Sequence, residues 1–550
     1  MANELVDGLL FAEMVKSGAR NLERNRTTVN ELNVFPIPDG DTGDNMYMTI
    51  DSGASELDTH ASPSLSESAA ACAHGMLLGA RGNSGVILSR IFSGISRGLE
   101  GLDNADIDSL CRALEYGIDE AYGALAAPVE GTILTVYKDA VRKARENITE
   151  KSTLESFFGD FVEESRRSLE RTPELLEVLR EAGVVDSGGA GLTYIAEGMR
   201  LALDCDSVEE HVSQTSAAKR VDIDKFTSDS VLEYGYCTEF LLRLQNAKCD
   251  VDSFDVGQLI AFLGTVGDSI VCFKDGSVVK VHVHTMTPGK VLDHCQKFGE
   301  FLTLKIENMT LQHNETVKNA AYVPPKKSAH KKFAVVSVAS GEGLRRIFAD
   351  LGCDEVVNGG QSMNPSAADF IAAFDRVNSD TIFVFPNNSN VILTARQAAS
   401  LYKDSDVRVL PTKTVGEGYA AISMLEYPEG DVDETVAALE EIIASVVTGF
   451  VSRASRESEK DGVDVREGDF IGFEGGRILV DDGDREKTLL ALCEKLDAGK
   501  FDVMLVIRGE NVSKEEAGEV CKELLATYKR TEIISLDGGQ PIHDYIIILE

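Results

Sequence analysis

The 550-residue sequence lacks the features that would place it in a membrane or outside the cell. No apolar run approaches the ~18 residues that a membrane span requires. The N-terminal residues lack the basic start and apolar core of a secretory signal. The ten cysteines form no C-x-x-C pair, so we do not expect a disulfide framework. These absences predict a protein of the reducing cytoplasm.

The chain also lacks an excess of positive charge and the common phosphate-binding loop. The chain has 54 Lys and Arg against 91 Asp and Glu, which gives a formal net charge of −37. This charge argues against nucleic acids and anionic membranes as partners, because phosphate contacts need a basic surface. The pattern G-x-x-x-x-G-K-[ST] occurs nowhere in the chain. Phosphate binding would therefore need another kind of loop.

Three domains are predicted from the length and from the changing pattern of apolar residues. Residues 1–203 repeat apolar residues at helical spacing, as at Ile87 and Ile91, and predict an all-α domain. Residues 225–310 read as strand, helix, strand, strand, helix, strand, the order of a ferredoxin-like α+β domain. Residues 332–550 alternate apolar strands with helices and predict an α/β domain with a largely parallel sheet.

The most informative stretch of the first domain runs from Asn33 to Met46 and reads NVFPIPDGDTGDNM. It places Asp39, Asp41 and Asp44 within six residues. Such crowding of like charges is unfavourable unless a cation or a protonated partner lies between them. Oxygen ligands of this kind suit Mg²⁺, so the stretch predicts a metal site. A solvated Asp/Gly turn is the alternative.

Three further loops of this domain contain glycine and precede predicted helices: residues 79–85, 130–132 and 186–191. Glycine lets backbone N–H groups approach an anion, and a helix N-terminus adds unpaired donors and a favourable dipole. Within the first loop, Arg81 could neutralise a phosphate. Each loop alone is typical of a structural cap, but four loops of complementary chemistry in one domain indicate a ligand site.

Together these motifs resemble the nucleotide-binding subunit of dihydroxyacetone kinases. The stretch from Asn33 to Met46, ARGNSGVI at 80–87 and VDSGGAGL at 185–192 are more similar still to the catalytic component of bacterial fatty acid kinases. The order of domains in the whole chain also matches that family. The resemblance implies a helical barrel that carries a DAK2 domain and holds ATP through two Mg²⁺ ions.

The same resemblance implies roles for individual residues. Asp39, Asp41 and Asp44 would bind the metal ions and, with Arg81, serve catalysis. The other implied nucleotide contacts are Thr42, Asn45, Gly82, Asn83, Ser84, Gly85, Thr132, Asp186, Gly188 and Gly189.

One departure separates this chain from the dihydroxyacetone kinases. That family has another Asp a few residues before its Gly-Asp-x-Asp core, where this chain has Asn33 or Val34. It also lacks an acid at the position of Asp44. The different place of the third carboxylate favours the fatty acid kinase branch.

The middle domain contains a possible zinc site. His282 and His284 are two residues apart on a predicted strand, so both face the same way. Pairing of the first and third strands can bring Cys237 beside them, and a water or an acid such as Glu239 or Asp268 could be the fourth ligand. Alternatively, the histidines line a half-buried face and the cysteine belongs to the core. The resemblance implies zinc, with a structural or dimer-organising role.

Small polar loops at 359–366, 385–389 and 538–542 of the last domain resemble those of the DegV family of fatty-acid-binding proteins. Ligands often bind at such strand ends, although turn and cap chemistry is the alternative. The resemblance implies that this domain helps to engage a separate fatty-acid-binding protein of the same fold. A homodimer is also expected.

The predicted function is ATP-dependent phosphorylation of a fatty acid carboxylate, presented by that binding protein, to give acyl phosphate for phospholipid synthesis. A carboxylate is already ionised at pH 7, so no general base is needed. One alternative is a kinase for a small polyol such as dihydroxyacetone, although the chain has no segment to hold a triose. The other is a non-catalytic lipid-binding regulator, which leaves the three aspartates unexplained.

Overall fold

The computed structural model describes residues 5–33, 40–125, 127–203, 236–251, 254, 256–275, 277–308, 330–360, 364–425, 431–454 and 457–550. The chain divides into two compact units. One contains residues 1–208 together with residues 325–550, and the other contains residues 209–324. No helix among the described residues combines the length and apolarity needed to cross a bilayer.

The N-terminal part of the first unit is helical, which confirms the prediction from apolar spacing. Its helices are α1 (Gly8–Glu31), α2 (Thr42–His60), α3 (Leu65–Gly79), α4 (Gly82–Gly98), α5 (Ile107–Gly123), α6 (Ile133–Glu146), α7 (Leu154–Leu175), α8 (Glu177–Ala182) and α9 (Ser187–Leu201). A two-residue antiparallel ladder joins β1 (Val6–Asp7) to β2 (Asn104–Ala105). The apolar stripes of these helices, except for α8, meet in one core, in which Leu22, Met46 and Ile50 are fully buried.

Helices α1 and α9 cross where two glycines allow their backbones to approach. A Cβ atom on Gly198 would lie 2.5 Å from the carbonyl oxygen of Ser17 and 2.7 Å from the Cα of Gly18. A Cβ atom on Gly18 would lie 3.0 Å from the carbonyl oxygen of Ile195. Because backbone atoms cannot move aside as a side chain can, this crossing fixes the axis of α9.

The second unit is an antiparallel sheet with two helices. Its elements are β3 (Tyr236–Leu244), α10 (Val256–Val266), β4 (Gly267–Asp275), β5 (Val278–Thr285), α11 (Pro288–Cys295) and β6 (Gly299–Asn308). The strand order is β4-β5-β3-β6. The first and third strands are therefore neighbours, as predicted, and their register pairs Cys237 with His284 and Glu239 with His282.

The C-terminal part of the first unit begins with a parallel sheet. Its strands and helices alternate as β7 (Lys331–Ala339), α12 (Glu342–Asp350), β8 (Glu355–Asn358), α13 (Ala367–Val377), β9 (Ser379–Phe385), α14 (Ser389–Leu401) and β10 (Asp406–Val409). The strand order is β10-β9-β7-β8, and every neighbouring pair is parallel. Each connection passes through a helix, as a parallel sheet requires.

A second, mixed sheet follows two helices, α15 (Val415–Ser423) and α16 (Val432–Ser445). The remaining elements are β11 (Val447–Arg453), β12 (Ser458–Lys460), β13 (Val463–Val465), β14 (Phe470–Glu474), β15 (Arg477–Asp482), α17 (Arg485–Lys495), β16 (Val503–Arg508), α18 (Lys514–Thr527), β17 (Glu532–Asp537) and β18 (Tyr545–Leu549). The sheet order is β15-β14-β11-β18-β16-β17, while β12 and β13 form a separate hairpin.

The expectation of a largely parallel sheet is wrong for this second half. In the six-stranded sheet only β16 and β17 pair in parallel. Gly475 and Gly476, with φ of 55° and 87°, form the tight turn that reverses the chain between β14 and β15. Two residues cannot make a parallel crossover, so the hairpin forces antiparallel pairing.

Replacing Gly198 with alanine tests the helix crossing. The added Cβ would push α1 and α9 apart, and we expect the free energy of unfolding to fall by about 2 kcal/mol, despite the ~1 kcal/mol gain in helix propensity. Gly159→Ala is the matched control, since a Cβ on this α7 glycine meets nothing within 4 Å. Urea unfolding should show a loss for the first variant and none for the second. Equal stability of both variants would contradict the close crossing.

Candidate functional site

The starts of α2, α4 and α9 lie against one another. The hydroxyl of Ser187, in the first turn of α9, donates to Oγ1 of Thr42, in the first turn of α2, over 3.2 Å. The backbone N–H of Arg81, which precedes α4, donates to Oγ1 of Thr49 on α2 over 3.3 Å. The aspartate stretch and two of the glycine loops therefore meet in space, although up to 145 residues separate them.

The start of α6 joins the same group through α9. A Cβ on Gly188 would lie 3.3 Å from Cβ of Ile133, and one on Gly189 would lie 2.8 Å from Cγ2 of Val136. Glycine at these two positions lets the first turns of α9 and α6 pack closely. All four helix starts that the motifs mark thus lie close to one another in the helical part.

Asp41 is the most deeply placed acid of this group. It is the N-cap residue of α2, but its carboxylate makes no capping hydrogen bond to the first turn of that helix. Its exposed fraction is only 9%, and its neighbours Thr42 and Asn45 are buried as well. A buried carboxylate requires a compensating donor or cation. Asp39 lies outside the described residues.

Asp44 is held by two residues of α1 that sequence reasoning missed. Its Oδ1 lies 3.1 Å from Nε of Arg26, and its Oδ2 accepts from Nδ2 of Asn30 over 2.7 Å. Oδ1 of Asn30 accepts from the N–H groups of Gly43, over 2.7 Å, and of Asp44, over 3.2 Å. Asn30 thus caps α2 in place of Asp41.

The first turn of α4 is shaped by glycine. Gly82 has φ of +57°, and a Cβ there would lie 2.7 Å from Nδ2 of Asn45. A Cβ on Gly85 would lie 2.3 Å from Oγ1 of Thr49. Ser84, between them, is half-buried. Oδ1 of Asn83 is buried and has no hydrogen-bond partner among the described residues, so this turn carries an unused acceptor.

Thr132 and Asp186 behave as helix caps. Oγ1 of Thr132 accepts from the N–H of Leu134 over 3.4 Å, and Oδ2 of Asp186 accepts from the N–H of Gly189 over 2.7 Å. Burial raises the pKa of Asp186 to about 6, although N–H donors from Gly189 and Ile133 oppose the shift. These hydrogen bonds agree with the alternative that the loops are structural caps. Thr132 and Asp186 also lie where the four helix starts meet.

A residue of the C-terminal part, Asn364, completes this end of the helical part. Its Nδ2 donates to Oδ2 of Asp41 over 2.6 Å, and its carbonyl oxygen accepts from Nη1 of Arg81 over 2.7 Å. Only 2% of Asn364 is exposed. The sequence marked the loop 359–366 as a polar strand-end loop, but nothing in the pattern showed that it would contact the aspartate stretch.

The three polar loops of the C-terminal part line a cavity of about 70 Å³. Gly360, Asn387 and Gln540 come from the three loops in turn. Burial lowers the pKa of the neighbouring His543 to about 3, so its ring is neutral and bonded to Oγ of Ser452 over 2.7 Å. The sequence left open whether these loops form a pocket or only turns and caps, and the structure has a cavity there with room for a few water molecules.

The gathered helix starts suit an anion with a hard cation. They offer backbone donors, one guanidinium, the buried carboxylate of Asp41 and the unused amide oxygen of Asn83, which are groups that phosphates and Mg²⁺ use. Among the described residues, no cluster of three or more His, Cys, Asp or Glu is arranged to hold a metal ion. The donor set fits a metal-bound phosphate in which the ligand itself supplies oxygens.

Three family models match the chain. The DAK2 domain matches residues 36–201, the middle domain of FakA-like fatty acid kinases matches 233–316, and the C-terminal domain of the same proteins matches 334–550. Protein YloV of Bacillus subtilis is 37% identical over 561 residues, covering 100% of both chains. A protein of Staphylococcus aureus strain USA300 is 34% identical over 99% of both chains.

Solved structures are similar to part of the chain. DegV of Bacillus subtilis, described as a fatty acid binding protein, is 15% identical and aligns over 40% of this chain and 99% of its own, with a TM-score of 0.31. The Fak B3 protein of Streptococcus pneumoniae, loaded with linoleic acid, is 13% identical over the same shares, with a TM-score of 0.30. Because the family models cover all three regions and full-length relatives exceed 30% identity, the chain belongs to the FakA-like fatty acid kinase family.

Proposed function

We propose that the protein is an ATP-dependent kinase that phosphorylates the carboxylate of a fatty acid, held by a separate DegV-fold binding protein, to give acyl phosphate. The observation that carries the proposal is the meeting of four helix starts close to the buried residue Asp41, in a chain of the FakA-like family. Convergent backbone donors and a buried acid suit a nucleotide triphosphate better than they suit a neutral ligand.

Each part of the site has a proposed task. Asp39, Asp41 and Asp44 are the proposed magnesium ligands, and Arg81 faces the transferred phosphate. Bound Mg²⁺, expected as two ions, would supply neutralisation of the phosphate charge. The proposed phosphate and nucleoside contacts are Thr42, Asn45, Gly82, Asn83, Ser84, Gly85, Thr132, Asp186, Gly188 and Gly189.

The reaction requires correct positioning of the carboxylate and the γ-phosphate more than it requires proton transfer. An oxygen of the ionised fatty acid attacks the γ-phosphorus, the new O–P bond forms, and the bond to the bridging oxygen of ADP breaks. The carboxylate has no proton to lose at pH 7. The contribution expected of this chain is therefore alignment, exclusion of water and stabilisation of charge by Arg81 and the backbone donors of α4.

We also propose a specific fold for each of the three regions of the chain. A helical barrel is supported by the single core of α1 to α9. A ferredoxin-like middle domain is supported by the strand order β4-β5-β3-β6. A DegV-like C-terminal domain is supported by the paired sheets. We also propose that the protein works in the cytoplasm as a homodimer.

Zinc in the middle domain remains a proposal supported by register alone. The backbone pairs Cys237 with His284 on one side and Asp268 with His284 on the other. We expect about one zinc per chain in protein purified without chelator, and loss of that zinc in His282→Ala, measured by elemental analysis. His330→Ala is the control, because this histidine lies outside the middle sheet and pairs with Asp380. Zinc-free wild-type protein would contradict the proposal.

Asp41→Asn tests the proposed role of the buried carboxylate. The substitution keeps the size of the side chain and removes its charge, so formation of acyl phosphate from ATP and oleate on a DegV-fold carrier should fall by at least 10²-fold. Hydroxylamine trapping of the product measures this rate. Asp58→Asn is the control, since Asp58 lies on the same helix but pairs at the surface with Lys16. Undiminished turnover in Asp41→Asn, with the fold intact, would refute the role.

Gly82→Ala tests the first turn of α4. Alanine at φ of +57° is strained by roughly 1–2 kcal/mol, and its Cβ would displace Asn45. We expect Mg·ATP affinity to fall about tenfold, which corresponds to ~1.4 kcal/mol, as measured by titration calorimetry. Gly101→Ala carries a similar strain, with φ of +77°, but meets nothing within 4 Å. It should lose stability without losing affinity, and equal affinity in both variants would contradict the prediction.

A further inference from the structure

The start of α2 is capped in an unusual way. Aspartate at the N-cap of a helix ordinarily accepts from an N–H group of that helix's own first turn. The N-cap aspartates of five other helices of this chain do so, namely Asp7, Asp106, Asp186, Asp431 and Asp484. The carboxylate of Asp41 makes no such bond, and its backbone, with φ of −117° and ψ of 2°, lies outside the extended region typical of N-caps. The first turn of α2 therefore takes its cap from elsewhere.

Asn30, on α1, occupies the capping position. Its Oδ1 accepts from the N–H of Gly43 over 2.7 Å and from the N–H of Asp44 over 3.2 Å. These are the second and third residues of α2, whose N–H groups an N-cap side chain ordinarily bonds. Nδ2 of the same amide donates to Oδ2 of Asp44 over 2.7 Å. One side chain thus bonds three groups of this first turn.

The two helices approach closely at this contact. A Cβ atom on Gly43 would lie 2.4 Å from the carbonyl oxygen of Arg26 and 2.8 Å from Oδ1 of Asn30. Because the first of these atoms belongs to the backbone, only glycine lets α2 begin against this turn of α1. Val29, next to Asn30, is fully buried. The core therefore fixes the end of α1 from which Asn30 reaches α2.

Both carboxylate oxygens of Asp44 have a donor on α1. Asn30 donates to Oδ2, and Nε of Arg26 lies 3.1 Å from Oδ1. The Arg26 guanidinium also lies over the ring of Tyr47, 5.6 Å from its centroid. An ionised carboxylate oxygen has two acceptor positions, so an oxygen that accepts a hydrogen bond can also coordinate a cation. Carboxylates that bind metal ions are commonly oriented by hydrogen bonds of this kind.

Removal of the Asn30 amide would leave two N–H groups of the first turn without their acceptor. Asp41 stands at the N-cap itself, and aspartate is among the most favourable residues there. We therefore expect its carboxylate to turn toward the N–H groups of Gly43 and Asp44. It would then leave the place where it now accepts from Nδ2 of Asn364 over 2.6 Å. Without Asn30, the orientation of both Asp41 and Asp44 would change.

From these contacts we propose that Asn30 is a positioning residue of the proposed magnesium site, an inference that rests on the proposed function. By capping α2 it keeps the carboxylate of Asp41 out of the first turn. By its hydrogen bond to Oδ2 it orients Asp44. Asn30 acts through these two acids and is not itself a metal ligand.

Asn30→Ala in the full chain tests this proposal. ATP binding is measured by titration calorimetry at a series of free Mg²⁺ concentrations. The variant should need about tenfold more free Mg²⁺ than the wild type to reach half of its maximal ATP affinity, since loss of an outer hydrogen-bonding partner typically weakens metal binding by that factor or more. At saturating Mg²⁺ it should bind ATP as the wild type does. A merely structural defect would not be recovered by Mg²⁺.

Asn30→Asp is the conservative variant that should rescue the site. Its carboxylate keeps an acceptor for the N–H groups of Gly43 and Asp44, and aspartate caps a helix about as well as asparagine does. Arg26 stays beside Asp44 to offset the added charge. The Mg²⁺ requirement of this variant should therefore stay close to that of the wild type.

Asn25→Ala is the matched control. This asparagine lies on the same helix, but its Nδ2 donates within α1 to the carbonyl oxygen of Asn21 over 2.8 Å. Its loss should leave the Mg²⁺ requirement unchanged. Circular dichroism checks that each variant folds, which we expect because α2 buries Met46, Ile50 and Leu57 in the core.

The outcomes separate the positioning role from the proposed function. An unchanged Mg²⁺ requirement in Asn30→Ala overturns the positioning role and leaves the proposed function intact. ATP affinity that stays low at saturating Mg²⁺, or loss of folding, overturns it too, because Asn30 would then hold the fold and not the site. An equal defect in Asn30→Asp has the same consequence, since the capping acceptor would not be the cause. If the wild type binds no ATP at any Mg²⁺ concentration, the proposed function fails and the positioning role fails with it.

Discussion

The site depends on one electrostatic constraint, the burial of the Asp41 carboxylate where helix starts meet. A carboxylate of 9% exposure is stable only beside positive charge or donors. Asn364 provides such a donor directly. Glycines are required around this point, because the close approach of four first turns leaves no space for Cβ atoms.

Packing far from the site keeps these helix starts together. The glycine crossing of α1 and α9 fixes the axis of α9, and α1 also supplies Arg26 and Asn30 to Asp44. Helix α1 therefore packs in the core and also holds Asp44 of the acidic stretch. The contacts of Asp44 with Arg26 and Asn30 distinguish it from Asp41 in what each would contribute.

The helical region, the strands of the middle unit and the parallel sheet of the C-terminal part could be predicted from the sequence because apolar periodicity is a local property. The antiparallel pairing of β11, β14 and β15 was not predicted, because the apolar pattern of a strand does not show which strand will lie beside it. The motif loops of the site could also be recognised from the local sequence. The same sequence did not predict the roles of Arg26, Asn30 and Asn364, because an ordinary helix end and a polar loop gain such roles only from tertiary contacts.

The central claim is that a metal-bound ATP at the gathered helix starts phosphorylates a fatty acid carboxylate. It is tested most directly by incubating the full chain with γ-labelled ATP and an oleate-loaded DegV-fold protein, and following the label. The account predicts a hydroxylamine-sensitive acyl phosphate formed in equal amount to ADP, and none when Mg²⁺ is chelated. ATP that binds but transfers its label to dihydroxyacetone, or to no acceptor, would contradict it.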